Sequence, residues 1–80
     1  MKIVITGGAG FLGRRLAKVL LEDSDVAQVI LSDVSELRAP AHDERLVLSQ
    51  ANLLEPGAAA AVVDGADVVF HLAAIVSGQA

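Results

Sequence analysis

A glycine-rich segment near the start of the chain has the residue types and spacing of a phosphate-binding turn. It spans residues 6–13, with the letters TGGAGFLG, and directly follows the apolar run IVI at residues 3–5. Two glycine patterns fit it, Gly7-x-x-Gly10-x-x-Gly13 and Gly8-x-Gly10-x-x-Gly13. Glycine there permits a tight turn, a close approach of the backbone to a pyrophosphate, and close packing of the following helix on the strand. The N–H groups and the positive dipole end of that helix would then face the anion.

An acidic residue after the next apolar run fits the same chemistry. The run VIL at residues 29–31 leads to Asp33, about twenty residues beyond Gly13. A dinucleotide-binding unit places an acid at this distance, where it accepts hydrogen bonds from ribose hydroxyls. Two structural interpretations compete: such glycines also occur in plain loops, and aspartate is a common turn residue at a strand end. The two features at this separation favour nucleotide binding. A carboxylate at Asp33 would also repel the 2′-phosphate of NADP, so we expect NAD.

Alternating strands and helices are predicted to position these residues. The predicted strands span residues 2–6, 28–32, 45–50 and 67–72. The predicted helices span residues 10 to about 21, and Pro56 through the run 58–63 to a stop at Gly65. Residues 34–44, with Pro40 and scattered charges, are predicted to form a loop. Right-handed crossovers between parallel strands then give the order 3-2-1-4, the first half of a doubly wound α/β fold of Rossmann type.

The apolar patterns also predict which faces are buried. In the first helix one face carries apolar residues and the other carries basic ones. The expected buried face consists of Leu12, Leu16, Val19 and Leu20, and the solvent face of Arg14, Arg15 and Lys18. The run VVF at residues 68–70 predicts a fourth strand buried as in the interior of a parallel sheet.

Composition limits the class of protein. The chain has 80 residues, no cysteine and a net charge of −4, which together indicate one small domain without thiol catalysis or cysteine metal sites. The acidic balance argues against a nucleic-acid partner. No apolar stretch is long enough to cross a bilayer and no signal-peptide pattern is present, so a cytoplasmic protein is expected. Because the predicted outer edge of the fourth strand has no partner in these residues and the two helices would cover only part of the sheet, we expect a homo-oligomer that pairs near the fourth strand.

Two motifs together resemble a known superfamily. The segment 6–13, combined with His71-Leu72-Ala73-Ala74, is similar to the extended short-chain dehydrogenases/reductases, which include NAD-dependent epimerases, dehydratases and sugar dehydrogenases. The resemblance covers nearly all of the chain. It implies that the glycine loop holds the NAD pyrophosphate and that the acid after the second strand holds the adenine ribose. It also implies that a pair of residues after the third strand flanks the adenine, and that the His-Leu-Ala-Ala segment lies along the cofactor toward the nicotinamide ribose. The implied NAD-binding residues are Gly7, Gly10, Phe11, Leu12, Gly13, Asp33, Asn52, Leu53, Leu72, Ala73 and Ala74.

The adenine pair departs from the family pattern. Ala51-Asn52-Leu53 stands where these proteins usually have Gly-Asp-Leu. An asparagine amide offers both a donor and an acceptor to an adenine edge, whereas a carboxylate only accepts.

The resemblance also implies catalytic residues that this chain lacks. Hydride transfer in the superfamily uses a Tyr-x-x-x-Lys pair, but the chain has no tyrosine, and its lysines are Lys2 and Lys18. Residues 1–80 are therefore expected to be the NAD-binding half-domain of an enzyme of several hundred residues, inactive by themselves. The stretch AAIVSG at residues 73–78 resembles the erythronate dehydrogenase branch, which implies oxidation of a hydroxyl of a small sugar acid. A nucleotide-sugar epimerase or dehydratase, and a non-catalytic or designed NAD-binding module, remain open.

The other polar residues have structural interpretations. His71 is expected to pack at the end of its strand rather than to transfer protons, because it has no catalytic partner in the sequence pattern. His42 lies in a polar loop and is expected to be exposed. The acidic pairs at residues 22–23 and 43–44 are interpreted as solvated surface, so no metal site is expected.

Overall fold

A parallel four-stranded sheet forms the centre of the computed structural model, which describes residues 1–52 and 54–72. The strands are β1 (Lys2–Thr6), β2 (Gln28–Asp33), β3 (Leu46–Gln50) and β4 (Val68–His71), and the helices are α1 (Phe11–Leu20) and α2 (Ala58–Val63). The strand order is β3-β2-β1-β4, and every neighbouring pair is parallel. The predicted fold class and strand order are confirmed. The helices in the described part of the chain are too short to span a membrane.

The two central strands supply most of the core. Ile3, Val4 and Ile5 of β1 are at most 2% exposed, and Val29 and Leu31 of β2 are fully buried. Continuous apolar runs of this kind form where both faces of a parallel strand are covered. Burial of these side chains fixes β1 and β2 in register and so fixes where their carboxyl ends lie.

Helix α1 packs on the sheet through a face that only partly matches the predicted one. Gly13 and Ala17 are its buried residues, and Leu16 and Leu20 pack beside them against the core. Two of the four predicted positions are wrong, because the side chains at Leu12 and Val19 are 63% and 55% exposed. The buried positions of α1 are its small residues, Gly13 and Ala17, which leave room for the helix backbone to approach its neighbours.

Two further predictions about local structure are wrong. Helix α2 begins at Ala58, and Gly57 before it has a left-handed φ of 79°, so Pro56 lies in the preceding turn and not in the first helical turn. Strand β4 is half-exposed rather than interior, with Val69 at 43%, because within the described ranges its outer edge pairs with no other strand. The loop between β2 and β3 forms as predicted, and Leu37 and Ala41 of that loop pack against the core.

Arg45, just before β3, joins the end of α1 to the sheet. Its guanidinium donates to the carbonyl oxygens of Val26 at 2.8 Å and Asp23 at 3.0 Å, and to that of Leu21. Its Nη2 also lies 2.8 Å from the carboxylate of Asp43. Cations near a helix C-terminus satisfy carbonyls that lack helical partners, so this group holds the turn after α1 in place. Asp43, one of the acidic pair at 43–44 that was interpreted above as solvated surface, therefore has a structural role as the partner of Arg45.

We expect the Asp43–Arg45 pair to stabilise the fold in a pH-dependent way. Side-chain and backbone hydrogen bonds from Arg45 lower the pKa of Asp43 from its usual 3.8 to about 2. A lowered folded-state pKa stabilises the fold above the unfolded-state value, and this contribution is lost as the pH falls through the folded-state value. The Tm of the unmodified chain should exceed that of Asp43→Asn at pH 5, and the gap should close toward pH 2. A difference in Tm that stays constant between pH 5 and pH 2 would contradict the lowered pKa of Asp43. Asp25→Asn is the control variant.

Candidate functional site

The glycine loop lies where β1 ends and α1 begins. Gly7 turns the chain with a left-handed φ of 76°, which favours glycine. The amide of Gly10 donates to the carbonyl of Gly7 at 3.3 Å, and the amide of Gly8 donates to the carbonyl of Ser32 at 2.9 Å. The second bond fastens the loop to β2, so the turn is fixed from within and from the neighbouring strand.

Two of the glycines are required by packing inside the protein. A Cβ atom at Gly13 would lie 2.8 Å from the carbonyl oxygen of Gly7 and 2.9 Å from the Cα of Gly8. A Cβ at Gly8 would lie 2.9 Å from Cδ2 of Leu31. Gly8 is absent from the set of residues implied by the resemblance, although the second glycine pattern includes it. Both positions keep the loop pressed against the sheet and helix.

Gly10 differs because nothing in the described structure fills the space beside it. It is exposed, its φ of −77° suits any residue, and the nearest atom to an added Cβ would be the carbonyl oxygen of Gly7 at 3.6 Å. Gly10 is also the N-cap of α1, without a side-chain cap, and the first turn of α1 contains no acidic residue. The amides of that turn are therefore available to an external acceptor.

The structure brings Asp33 to the glycine loop, as the topology predicts. Its Oδ2 accepts a hydrogen bond from the amide of Ala9 at 2.9 Å, and its Oδ1 accepts one from the amide of Ser35 at 2.9 Å. Each carboxylate oxygen retains a further lone-pair direction. The carboxylate thus has a fixed orientation beside the loop while it can still accept hydrogen bonds from a ligand.

The region after β3 contributes one described member of the predicted adenine pair. Asn52 is exposed, and its Oδ1 accepts a hydrogen bond from the amide of Leu54 at 3.0 Å. Leu53, Ala73 and Ala74 lie outside the described residues. Val34 and Leu54, which the sequence interpretation missed, are 62% and 92% exposed just beyond the ends of β2 and β3. In the sequence, Val34 is an apolar residue directly after β2, and Leu54 is an apolar residue in the turn that follows β3.

Leu72 and His71 lie at the end of β4, next to the start of the loop. The amide of Leu72 donates to the carbonyl of Thr6 at 3.0 Å. The prediction that His71 is a packing residue is wrong, because its side chain is exposed and its Nδ1 lies 2.7 Å from Oγ1 of Thr6. His71 therefore contacts β1 through a hydrogen bond to a hydroxyl. His42 is exposed, as predicted.

The outer side of α1 adds positive charge near the loop. Arg14, Arg15 and Lys18 line an open depression together with Phe11 and Pro40. Phe11 and Leu12, both predicted to contact NAD, are 76% and 63% exposed. Among the residues that the structure describes, no cluster of three metal-ligating side chains occurs.

The sequence of this loop and sheet matches a family model over residues 3–80, that of the NAD dependent epimerase/dehydratase family. The chain belongs to this family. Every residue placed in the site above falls within the matched range. The resemblance inferred from the two motifs is therefore confirmed at the level of the family.

Relatives with assigned activities are similar over the whole chain. D-erythronate dehydrogenase of Haemophilus influenzae is 48% identical over 83 residues, which cover all of this chain and 26% of that protein. D-erythronate dehydrogenase of Cupriavidus necator is 37% identical over 89 residues, again covering all of this chain and 28% of the relative. The chain thus spans only about a quarter of the length of these enzymes.

Solved structures of the family share the fold. UDP-glucuronic acid 4-epimerase from Bacillus cereus, in complex with UDP-glucuronic acid and NAD, superposes with a TM-score of 0.78 at 31% identity, covering 96% of this chain and 27% of the epimerase. A mutant uronate dehydrogenase from Agrobacterium tumefaciens, complexed with NAD, gives 0.75 at 30% identity, covering 89% of this chain and 25% of that structure. The similarity includes both a dehydrogenase and an epimerase.

Proposed function

We propose that this chain binds NAD as the cofactor-binding half-domain of a longer enzyme. The observation that carries the proposal is the open space at Gly10, in front of uncapped amides of α1 and beside a fixed carboxylate at Asp33. The fold leaves that space empty without needing a glycine there, as expected where a pyrophosphate approaches the backbone. Relatives of similar fold that are complexed with NAD support the choice of ligand.

Each part of the site has a distinct role in this proposal. The backbone from Gly7 to Leu12 receives the pyrophosphate, and Gly13 keeps α1 close behind it. The carboxylate of Asp33 accepts hydrogen bonds from the adenine ribose hydroxyls. Exposed apolar side chains and the Asn52 amide lie where an adenine would extend past the ends of β2 and β3. Leu72, at the end of β4, lies along the cofactor toward its nicotinamide end.

For the longer enzyme we propose oxidation of a hydroxyl on a small sugar acid. The support is the 48% identity with a D-erythronate dehydrogenase over the entire chain. Epimerisation of a nucleotide sugar is the second candidate, favoured by the high structural similarity to UDP-glucuronic acid 4-epimerase. Because the chain has no tyrosine, the general acid/base of either reaction must come from elsewhere, and the chain alone should turn over no substrate.

Titration calorimetry with NAD and NADP tests the proposed cofactor. We expect NAD to bind more tightly by roughly tenfold or more, because the Asp33 carboxylate would lie against the 2′-phosphate of NADP. Asp33→Asn removes this repulsion, so the ratio of the two affinities should narrow even if both decrease. Equal or tighter binding of NADP by the unmodified chain would refute the proposal.

We also propose that the chain self-associates through the exposed edge of β4. Val69 is 43% exposed there, beside an edge that no described strand covers. Val69→Lys should shift light-scattering mass toward the monomer, and the fold should tolerate it because the side chain already reaches water. Val19→Lys, at an exposed valine on α1, is the matched control and should leave the mass unchanged. An unmodified chain that stays a folded monomer at all concentrations would exclude this contact.

A further inference from the structure

The carboxyl ends of β1 and β4 lie side by side at the point where the strand order reverses. The connection from β1 leads through α1 to β2 on one side, whereas β4 lies on the other side and is reached from the far edge strand β3. Ligands of open α/β sheets bind in the crevice at such a point, outside the carboxyl ends of the strands. Thr6 and His71 are register partners at this end.

The described backbone hydrogen bonds between these two strands reach as far as Leu72. Beyond the paired residues Thr6 and His71, the amide of Leu72 donates a hydrogen bond to the carbonyl of Thr6 at 3.0 Å. Gly7 then turns away with a φ of 76°. The side-chain hydrogen bond between Oγ1 of Thr6 and Nδ1 of His71, at 2.7 Å, adds a second tie at this boundary.

The environment of the pair favours a persistent hydrogen bond. Thr6 is 2% exposed, so water has little access to its hydroxyl, although the imidazole of His71 is exposed. A hydroxyl both donates and accepts, so the bond forms with either neutral imidazole tautomer. Ser32, the register neighbour of Thr6 on β2, is fully buried, and its hydroxyl has no hydrogen-bond partner in the described structure. The Thr6 hydroxyl is therefore not shared with that neighbour.

We propose that Thr6 and His71 form a positioning pair for the cofactor site. Their bond aligns the end of β4 with the end of β1, and it thereby holds Leu72 beside the start of the glycine loop before NAD arrives. Neither side chain needs to touch the cofactor. The proposal deepens the NAD-binding function and rests on it for one of its two measurements, while the other concerns the protein alone.

Substitutions that keep or remove the hydroxyl test the pair. Thr6→Val places a methyl group at a buried site and leaves an exposed imidazole that can bind water, so the chain should stay folded. The amide of Leu72 should exchange with solvent roughly three- to tenfold faster, and NAD affinity should fall by a similar factor. Thr6→Ser retains the hydroxyl and should behave like the unmodified chain.

A second pair of variants and their combination complete the test. His71→Leu should reproduce the effect of Thr6→Val, whereas His71→Asn retains a hydrogen-bonding group and should restore much of the protection. The double variant Thr6→Val/His71→Leu should be no worse than either single variant, because both remove one bond. Unchanged exchange at Leu72 in Thr6→Val, or additive effects in the double variant, would overturn the proposal. If the unmodified chain does not bind NAD, the proposed function is refuted. The exchange rate of the Leu72 amide still tests the hydrogen bond between Thr6 and His71 in that case.

Discussion

Replacement of Gly13 by alanine is expected to lower the free energy of unfolding by about 1–3 kcal/mol and to eliminate measurable NAD binding. The added Cβ would lie 2.8 Å from the carbonyl oxygen of Gly7 and 2.9 Å from the Cα of Gly8. Both are backbone atoms, so no side-chain rotation can relieve the contact. Either α1 must move away from the sheet or the loop must change its path, and both changes displace the amides that would receive the pyrophosphate. Urea denaturation and calorimetric titration measure the two effects.

A matched glycine outside the loop separates loss of stability from loss of binding. Gly57→Ala introduces the same methyl group at a residue with a φ of 79°, where an added Cβ meets no atom within 4 Å. The left-handed conformation should make this variant less stable by about 1–2 kcal/mol, comparable to Gly13→Ala. Its NAD affinity should remain that of the unmodified chain wherever the protein is folded. If Gly13→Ala binds NAD equally well, the tight contact between α1 and the loop is not needed for the site.

The topology of the sheet could be predicted because few arrangements satisfy the pattern. Four apolar runs separated by a helix, a loop and a short helix, with crossovers of one hand, leave the order 3-2-1-4. That order brings the end of β2 next to the end of β1, so the proximity of Asp33 to the glycine loop followed from it. The bond from the amide of Ala9 to the Asp33 carboxylate joins residues 24 positions apart. Which loop amide donates to the Asp33 carboxylate, however, depends on the path of the loop, and the strand order does not predict that path.

The errors occurred where small or edge residues decide the packing. The helical periodicity was judged from large apolar side chains, so it predicted that Leu12 and Val19 of α1 are buried. The small residues Gly13 and Ala17 are the buried ones instead. The apolar run of β4 predicted a buried strand although the predicted order already placed β4 at an edge, because burial depends on what covers a strand and not on its own sequence. The contact between Thr6 and His71, which are 65 positions apart, depends on the register of two strands that the sequence does not specify. Sequence patterns therefore identified the elements better than the contacts between them.

Gly10→Ala is expected to weaken NAD binding by at least about tenfold while the stability of the fold changes by less than about 1 kcal/mol. Alanine is a poorer N-cap than glycine, which lowers stability, but it also restricts the unfolded chain, which raises it. These effects oppose each other, and the added methyl would contact nothing closer than 3.6 Å in the protein. The methyl would instead occupy the space proposed for the pyrophosphate, in front of the α1 amides.

The comparison between Gly10→Ala and Gly13→Ala tests where the ligand lies. Both variants carry one added methyl in the same loop, but only the one at Gly13 meets protein atoms closer than 3.0 Å. If the pyrophosphate binds against the loop backbone, the first variant loses affinity with its Tm almost unchanged, whereas the second loses both. If Gly10→Ala binds NAD with the affinity of the unmodified chain, the pyrophosphate does not approach this residue. The anion would then have to be held elsewhere, and the basic depression on α1 formed by Arg14, Arg15 and Lys18 would be the next position to test by charge reversal.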